Sequence, residues 1–360
     1  MKVLTLVGAR PQFVKAWPVS RALRAAGITE ALVHSGQHYD DAMSQVFFDQ
    51  LGLDAPARHL NIGSGSHGAQ TGRMMIAVEE ACMEMAPDCV IVYGDTNTTL
   101  AGSLVACKLR IPLAHIEAGL RSGNRAMPEE YNRIVSDHCS DMLLCPTQNA
   151  VDSLAREGRV AGVHMVGDVM YDAAIHFGAV ARETSTVLAE LGVERGGYYL
   201  ATIHRPQNAD DPAALGAIMD ALVALDAPVV LPLHPRTRAQ LAAHAEVADR
   251  LRGSKVLLTA PRGYIDMLML EQFARAILTD SGGVQKEAYF FGVPCVTLRA
   301  ETEWTETVAS GWNVLVGTAT AAIVSAAQAA TPPAAAVPPL FGDGRAAEKV
   351  AKILPTIDLL

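Results

Sequence analysis

The chain is short of basic residues, has no cysteine pairs at ligand spacing and contains no long apolar run, and each lack removes a class of function. Lys and Arg number 29 against 38 Asp and Glu, a formal charge of −9. That balance excludes a general binder of nucleic acid or anionic membranes. A small anionic ligand stays open, provided basic groups gather locally. No stretch approaches the ~18 uninterrupted apolar residues of a membrane span. The six cysteines (Cys82, Cys89, Cys107, Cys139, Cys145 and Cys295) show no zinc-type spacing. Most lie in apolar runs such as Cys89-Val90-Ile91-Val92 and read as buried, inert thiols. No metal is expected. The apolar start at residues 1–7 is too short for a signal peptide, so the expected location is cytoplasmic.

Familiar loop signatures are also missing. There is no G-x-x-x-x-G-K-[ST], H-E-x-x-H or G-x-S-x-G. Gly63, Gly65 and Gly68 fit G-x-G-x-x-G, but they follow residues 58–62, a poor strand, rather than the first strand-to-helix turn at Gly8. A nicotinamide site is therefore not read from them. Charged residues make up only 19% of the chain and hydrophobic ones 50%, which excludes a disordered or fibrous protein.

What is present is alternation. At ~150 residues per domain, 360 residues predict two domains. Short apolar, β-branched runs at 3–7, 31–34, 89–93, 113–116, 142–145 and 163–166 read as strands. A second series follows at 198–203, 229–233, 255–259, 276–279 and 295–298. Helical spacing occupies 14–25, 70–85, 130–140 and 213–225. Both series open alike: a strand, an Arg-Pro-Gln turn (residues 10–12 and 205–207), then a helical pattern. The expected fold is α/β, with two Rossmann-like doubly wound domains facing a cleft, divided as 1–170 and 171–340. A Pro- and Ala-rich linker over 329–339 leads to a final helix at 345–353, within a separate tail of 341–360.

The clearest anion site is Asp280-Ser281-Gly282-Gly283, where a strand ends and a helix begins. A helix start offers unpaired N–H groups and partial positive charge, and glycine lets a phosphate approach the backbone. Glu287, nearly two turns on, is placed to accept ribose hydroxyls. Arg10 and Lys15 flank the first helix start and supply cations. Asp95 and Glu117 each follow an apolar run and so stand at strand carboxyl ends. Glu129 and Glu130 open a proline-led helix, where acidic residues also serve the helix dipole, so one of the two is read as structural. His204 ends the first strand of the second series. Acidic groups near a diphosphate do not suit ligand binding; they suit proton transfer or stabilisation of developing positive charge.

In order along the chain, several motifs together resemble the non-hydrolysing UDP-N-acetylglucosamine 2-epimerase family. They are Gly8-Ala9-Arg10-Pro11 with Lys15, Gly36-Gln37-His38, Gly94-Asp95-Thr96, His115-Ile116-Glu117-Ala118-Gly119-Leu120-Arg121 and Pro128-Glu129-Glu130. Thr202-Ile203-His204-Arg205, Asp280-Ser281-Gly282-Gly283 and Phe341-Gly342-Asp343-Gly344 complete the set. The resemblance implies a glycosyltransferase-B-like fold, a homodimer, a last helix returning to the first domain, and inversion at C2 of a UDP-linked 2-acetamido sugar without a cofactor. It implies that UDP is expelled to give a 2-acetamidoglucal, which is reprotonated from the other face as UDP returns. Asp95, Glu117 and Glu129 are then candidates for acid–base and cation-stabilising work, without assignment of the base, and His204 for assisting C1–O cleavage. Arg10 and Lys15 would face substrate and phosphates; Ser281, Gly282, Gly283 and Glu287 would hold UDP; Arg262 and Met267 would meet the uracil. Family members acting on UDP-N-acetylglucosamine often carry arginine where this chain has Trp304, and Arg-Glu-Asn where it has Pro206-Gln207-Asn208. Those departures, with Gly36-Gln37-His38-Tyr39-Asp40 and Gly311-Trp312-Asn313, resemble the branch acting on UDP-2,3-diacetamido-2,3-dideoxy-glucuronate. A similar glycosyltransferase, a hydrolysing relative and a non-catalytic sugar-nucleotide binder are the competing readings.

Overall fold

The computed structural model describes residues 1–37, 52–333 and 337–358. His38, Tyr39 and Asp40, part of one expected motif, lie outside the described residues. The chain divides into two compact units, one made of Met1–Ala173 with Pro339–Leu360, the other of Ala174–Pro338.

Among the described residues the first unit holds seven parallel strands: β1 (Lys2–Val7), β2 (Thr29–His34), β3 (Arg58–His59), β4 (Cys89–Tyr93), β5 (Leu113–Ile116), β6 (Met142–Cys145) and β7 (Val163–Met165). Their order is β3-β2-β1-β4-β5-β6-β7. The central strands are mostly apolar because helices cover both faces of the sheet, with Thr5 on β1 and His115 on β5 as buried polar exceptions. Leu4, Leu6, Val90, Val92 and Leu113 pack on Val78 and Cys82 of the helix His67–Met85 and on Val105 of the helix Asn97–Leu109. Each such Leu or Val contributes about 1.5–3 kcal/mol on burial.

The second unit repeats the plan with β8 (Tyr199–Thr202), β9 (Val229–Pro232), β10 (Val256–Thr259), β11 (Ala276–Thr279), β12 (Cys295–Thr297) and β13 (Asn313–Leu315), ordered β10-β9-β8-β11-β12-β13. Leu215, Ile218 and Leu222 of the helix Pro212–Val223 pack on Tyr199, Leu231 and Leu278. In both sheets the connections reverse direction between the first and fourth strands of the unit, β1/β4 and β8/β11. Ligands of such sheets bind beyond the strand ends at that reversal.

Several boundaries differ from the sequence reading. The first helix begins at Arg10 rather than 14 and the second described one at His67 rather than 70, because a polar first turn carries no apolar periodicity. Arg58–His59, inside the stretch read as a poor strand, forms a two-residue edge strand. Asn313–Leu315 is a strand too short to show a pattern.

The tail belongs to the first unit. Asp168 N–H donates to Phe341 O at 2.9 Å. Gly167 and Gly342, both at positive φ (96° and 91°), pass back to back, so a Cβ on Gly167 would stand 2.9 Å from Phe341 O. Asp172 then caps the helix Ala346–Ile353, accepting from the N–H groups of Ala346 at 3.1 Å and Ala347 at 2.7 Å. That helix packs on the helix Arg10–Ala25. Burial raises the Asp172 pKa to about 6 against the two backbone hydrogen bonds that lower it.

Candidate functional site

In the first unit, Lys15, Asp95 and Glu117 stand around Gly94 at the β1/β4 reversal. The turn after β1 is tied to the turn after β4 by Gln12, which sequence reasoning did not single out. Its side chain is buried; Oε1 accepts from Gly8 N at 2.8 Å and Ala9 N at 3.0 Å, and Nε2 donates to Tyr93 O at 2.9 Å. This places Arg10 at the helix start and Lys15 one turn and a half inside it. Lys15 is buried and its ammonium bonds the Glu117 carboxylate, itself buried at the end of β5. Gly94 stands against this pair: a Cβ there would lie 3.0 Å from Glu117 Oε2 and 3.1 Å from Lys15 Nζ, and its φ is +62°. Only glycine fits both demands. Glu117 has a φ of 71°, a left-handed conformation that costs a non-glycine residue about 1–3 kcal/mol and accumulates at functional sites.

Asp95 follows Gly94 directly. Its Oδ2 accepts from Arg133 Nε at 3.0 Å and pairs with Nη2 at 2.9 Å, while 35% of its side chain is exposed. Arg133 and Asn132, whose amide donates to Asp95 O at 2.9 Å, come from the helix Pro128–Cys139. The same helix separates the paired glutamates. Glu130 is buried, bonds Arg133, and accepts from Ser122 N at 3.0 Å, Ser122 Oγ at 2.9 Å and Gly123 N at 2.9 Å. Burial would raise its pKa, but these hydrogen bonds and Arg133 hold it below the ordinary glutamate value. Glu129 is half-buried in the first turn.

A further buried chain of charges lies beneath these groups. His115 on β5 and Asp137 on the helix Pro128–Cys139 are both fully enclosed and meet at 2.7 Å. Asp137 Oδ2 also accepts from Gly119 N at 3.1 Å and Arg121 Nη1 at 2.7 Å, and Arg121 forks onto Glu157 through two bonds of 2.7 Å. Burial alone would raise the Asp137 pKa; the bond and charge of His115 and those of Arg121 lower it below the usual range.

In the second unit, His204 and the Ser281 turn stand at the ends of neighbouring strands, β8 and β11. Asp280, also passed over in the sequence reading of single residues, joins them. Its carboxylate is fully buried and accepts from His204 N (3.1 Å to either oxygen), Arg205 N (3.0 Å) and Asn208 Nδ2 (3.1 Å). It also lies 3.0 Å from His204 Nδ1. Burial opposes the charge, but the His204 bond, its charge and the two backbone N–H groups keep Asp280 below the ordinary aspartate pKa. An Asp on Nδ1 fixes the ring and its tautomer and leaves Nε2 for proton transfer; the His204 side chain is 36% exposed.

Ser281 caps the nine-residue helix Gly282–Phe290, its Oγ accepting from Val284 N at 3.4 Å. The first N–H groups of that helix have no intrahelical carbonyl. A Cβ on Gly282 would meet Glu303 Oε1, so any other residue there must displace the Glu303 carboxylate. Trp304 is buried there, with Lys286 Nζ 4.4 Å from its ring centroid. Glu287 is buried on the same helix. Arg262 and Met267 stand after β10, three strands from β11 in the sheet order. Arg262 pairs with Glu190 at 3.1 Å, and Met267 is half-buried on the helix Tyr264–Phe273, which packs on the helix Gly282–Phe290.

The sequence profile described as UDP-N-acetylglucosamine 2-epimerase matches residues 21–355. The chain belongs to the UDP-N-acetylglucosamine 2-epimerase family. Members of this isomerase family include a Pseudomonas aeruginosa protein named UDP-2,3-diacetamido-2,3-dideoxy-D-glucuronate 2-epimerase, 49% identical over 98% of this chain and 99% of its own. A Methanococcus maripaludis protein named as a UDP-N-acetylglucosamine 2-epimerase homolog is 45% identical over 98% of this chain and 99% of its own. The solved Methanocaldococcus jannaschii UDP-GlcNAc 2-epimerase, in complex with UDP-GlcNAc and UDP, superposes with a TM-score of 0.91 at 40% identity, covering 99% of this chain and 100% of that one. The two doubly wound sheets are of the glycosyltransferase-B-like α/β class expected from the sequence. No helix among the described residues is long and apolar enough to cross a membrane.

Proposed function

We propose that this enzyme inverts C2 of a UDP-linked 2-acetamido sugar, converting UDP-N-acetylglucosamine to UDP-N-acetylmannosamine by elimination and re-addition of UDP. The observation that carries the reading is the strained, lysine-paired Glu117 packed against Gly94, the residue before Asp95, at the β1/β4 reversal. It is matched in the second unit by a glycine-rich helix start beside an Asp-oriented histidine.

The C2 hydrogen is not adjacent to a carbonyl, so a carboxylate cannot remove it from the intact sugar at a useful rate. Loss of UDP changes that, because oxocarbenium character at C1 acidifies C2–H. The helix start at Ser281, Gly282 and Gly283 suits the departing diphosphate, His204 is oriented to serve the C1–O bond, and Glu287 suits the ribose. Arg10 and Lys15 add cations. Arg262 and Met267 are assigned to the uracil. Asp95, Glu117 and Glu129 supply the proton-transfer and cation-stabilising groups, since removal from one face and return to the other needs an acid and a base. Exclusion of water protects C1 from hydrolysis. No cofactor takes part. The enzyme works as a cytoplasmic homodimer in supply of polysaccharide precursors.

A second reading keeps the chemistry and changes the sugar to UDP-2,3-diacetamido-2,3-dideoxy-glucuronate. It is favoured by the 49% identity to the Pseudomonas aeruginosa relative and by Trp304 beside the Gly282 turn. Proton NMR of each UDP-sugar with enzyme in heavy water tests both. Deuterium must enter C2 during turnover. Protium retained at C2, or free sugar and UDP as the only products, refutes the epimerase.

A further inference from the structure

His115 lies inside the apolar run of β5, where no substrate reaches: its side chain has no exposed surface. Its two ring nitrogens nevertheless each stand at hydrogen-bonding distance from an oxygen. Nε2 is 2.7 Å from Gly94 O, and a carbonyl cannot donate, so Nε2 carries a proton. Nδ1 is 2.7 Å from Asp137 Oδ1, and Asp137 already accepts from Gly119 N and Arg121, the pattern of an ionised carboxylate. An unprotonated Nδ1 would set lone pair against lone pair. With Asp137 held ionised by these partners, both ring nitrogens meet acceptors only, an arrangement that a doubly protonated ring satisfies, and an alternating series opens: His115, Asp137, Arg121, Glu157.

The atom this cation holds is decisive. Gly94 N–H is already fixed by donation to Ile116 O at 3.0 Å, and the ring fixes its carbonyl. With both ends of Gly94 pinned and the Lys15–Glu117 pair filling the place of its absent side chain, the direction in which the chain leaves toward Asp95 is set. Arg133 then holds the Asp95 carboxylate itself.

We propose that His115 is a positioning residue, a buried imidazolium that locks the Gly94 peptide and thereby sets Asp95 against Glu117 for proton transfer at the sugar. The inference rests on the epimerase reading for its consequence, and on the hydrogen-bond inventory alone for its charge. A displacement of about 1 Å in a reacting group can cost on the order of 10²-fold in rate, so the effect belongs in kcat and not in substrate affinity.

Two measurements on the full chain test it. Long-range proton–nitrogen NMR of histidine-labelled enzyme at neutral pH, with the resonance assigned by its loss in His115→Gln, is expected to show two protonated ring nitrogens; one unprotonated nitrogen overturns the proposal. In turnover of UDP-N-acetylglucosamine or the diacetamido uronate, His115→Gln is expected to lower kcat about 30- to 100-fold with KM within threefold. An unchanged kcat, or a raised KM alone, overturns it. Should His115→Gln fail to fold, Asp137→Asn serves in its place: the ring loses its counter-charge and should show one N–H, with a smaller fall in kcat, because the remaining Nε2–H still holds Gly94 O. A ring still doubly protonated in Asp137→Asn with full activity overturns the role of the pair. If the wild-type enzyme exchanges no C2 hydrogen on either sugar, the epimerase reading fails, while the NMR result still decides the protonation of the ring.

Discussion

Asp280→Asn is the most demanding perturbation the second unit offers, because one buried carboxylate serves His204, Arg205 and Asn208 together. An asparagine keeps the size, one acceptor oxygen and no charge. Whichever way the amide turns, its NH₂ meets donors: the His204 N–H and Nδ1 on one side, or the His204, Arg205 and Asn208 N–H groups on the other. Because His204 N reaches either oxygen, the smaller loss is a single donor, His204 Nδ1, and the larger is the pair Arg205 N and Asn208 Nδ2. At about 1–3 kcal/mol for an unsatisfied buried group, the loss in the better orientation is about 1–3 kcal/mol. A domain's ordinary stability is about 5–15 kcal/mol, so the loss is measurable without unfolding the unit. At about 2–4 °C per kcal/mol for a unit of this size, calorimetry should place the second unit's transition about 5 °C lower. The pH dependence has a definite sign. Asp280 has a folded pKa below its unfolded one, so its stabilisation is complete above the ordinary aspartate range, near pH 4, and disappears as pH falls through the folded value. The gap between wild type and variant should therefore close on acidification below about pH 4. Activity should fall by at least about 10²-fold through the freed imidazole. A variant melting with the wild type at pH 7, or a gap that stays constant to pH 3, refutes the reasoning.

Further outcomes follow from other residues. Asp95→Asn should lose C2 deuterium incorporation by about 10²–10⁴-fold while UDP affinity, read by calorimetric titration, stays within a few-fold; loss of both would separate Asp95 from the proton step. Lys15→Met leaves the buried Glu117 carboxylate without its cation and should destabilise the first unit by about 3–5 kcal/mol, with part of that recovered when Glu117→Gln is added. Gly282→Ala drives a methyl group into Glu303 and should weaken UDP binding by about tenfold or more, the equivalent of about 1.4 kcal/mol, with little change in circular dichroism. Carbon NMR should titrate the Asp172 carboxyl near 6; since its folded pKa is raised, its contribution to stability is greatest at acid pH and is lost as pH rises through that value.

The sequence carries the fold class through its strands. Cys89–Tyr93 and Leu113–Ile116 are legible because a strand covered on both faces is mostly apolar, with His115 the exception in the second. Arg58–His59 and Asn313–Leu315 are not, since two or three residues at a sheet edge need no pattern. Asp95, Glu117 and His204 stand out for the same reason in reverse: polar residues that end an apolar run lie where ligands reach. Asp280 was quoted within a motif, yet its partners are 72 to 76 residues away. Arg133 reaches across 38 residues to Asp95 and Asp137 across 22 to His115. Such contacts are set by tertiary packing, and local spacing carries no trace of them. His115 is concealed further by its place within a strand, where it reads as filler among Leu113, Ala114 and Ile116.

The closing helix Ala346–Ile353 has a consequence for how the chain is made. The first unit is interrupted: its last piece, from Pro339 onward, is translated only after the whole of Ala174–Pro338. On a ribosome the inserted unit can therefore finish folding while the earlier one still waits for its cap, with Asp172 and the Gly167 bend holding no partner. A frameshift near residue 339 would spare every strand of both sheets and still leave the surface of the helix Arg10–Ala25 uncovered, so quality control should read such a product through its amino-terminal half.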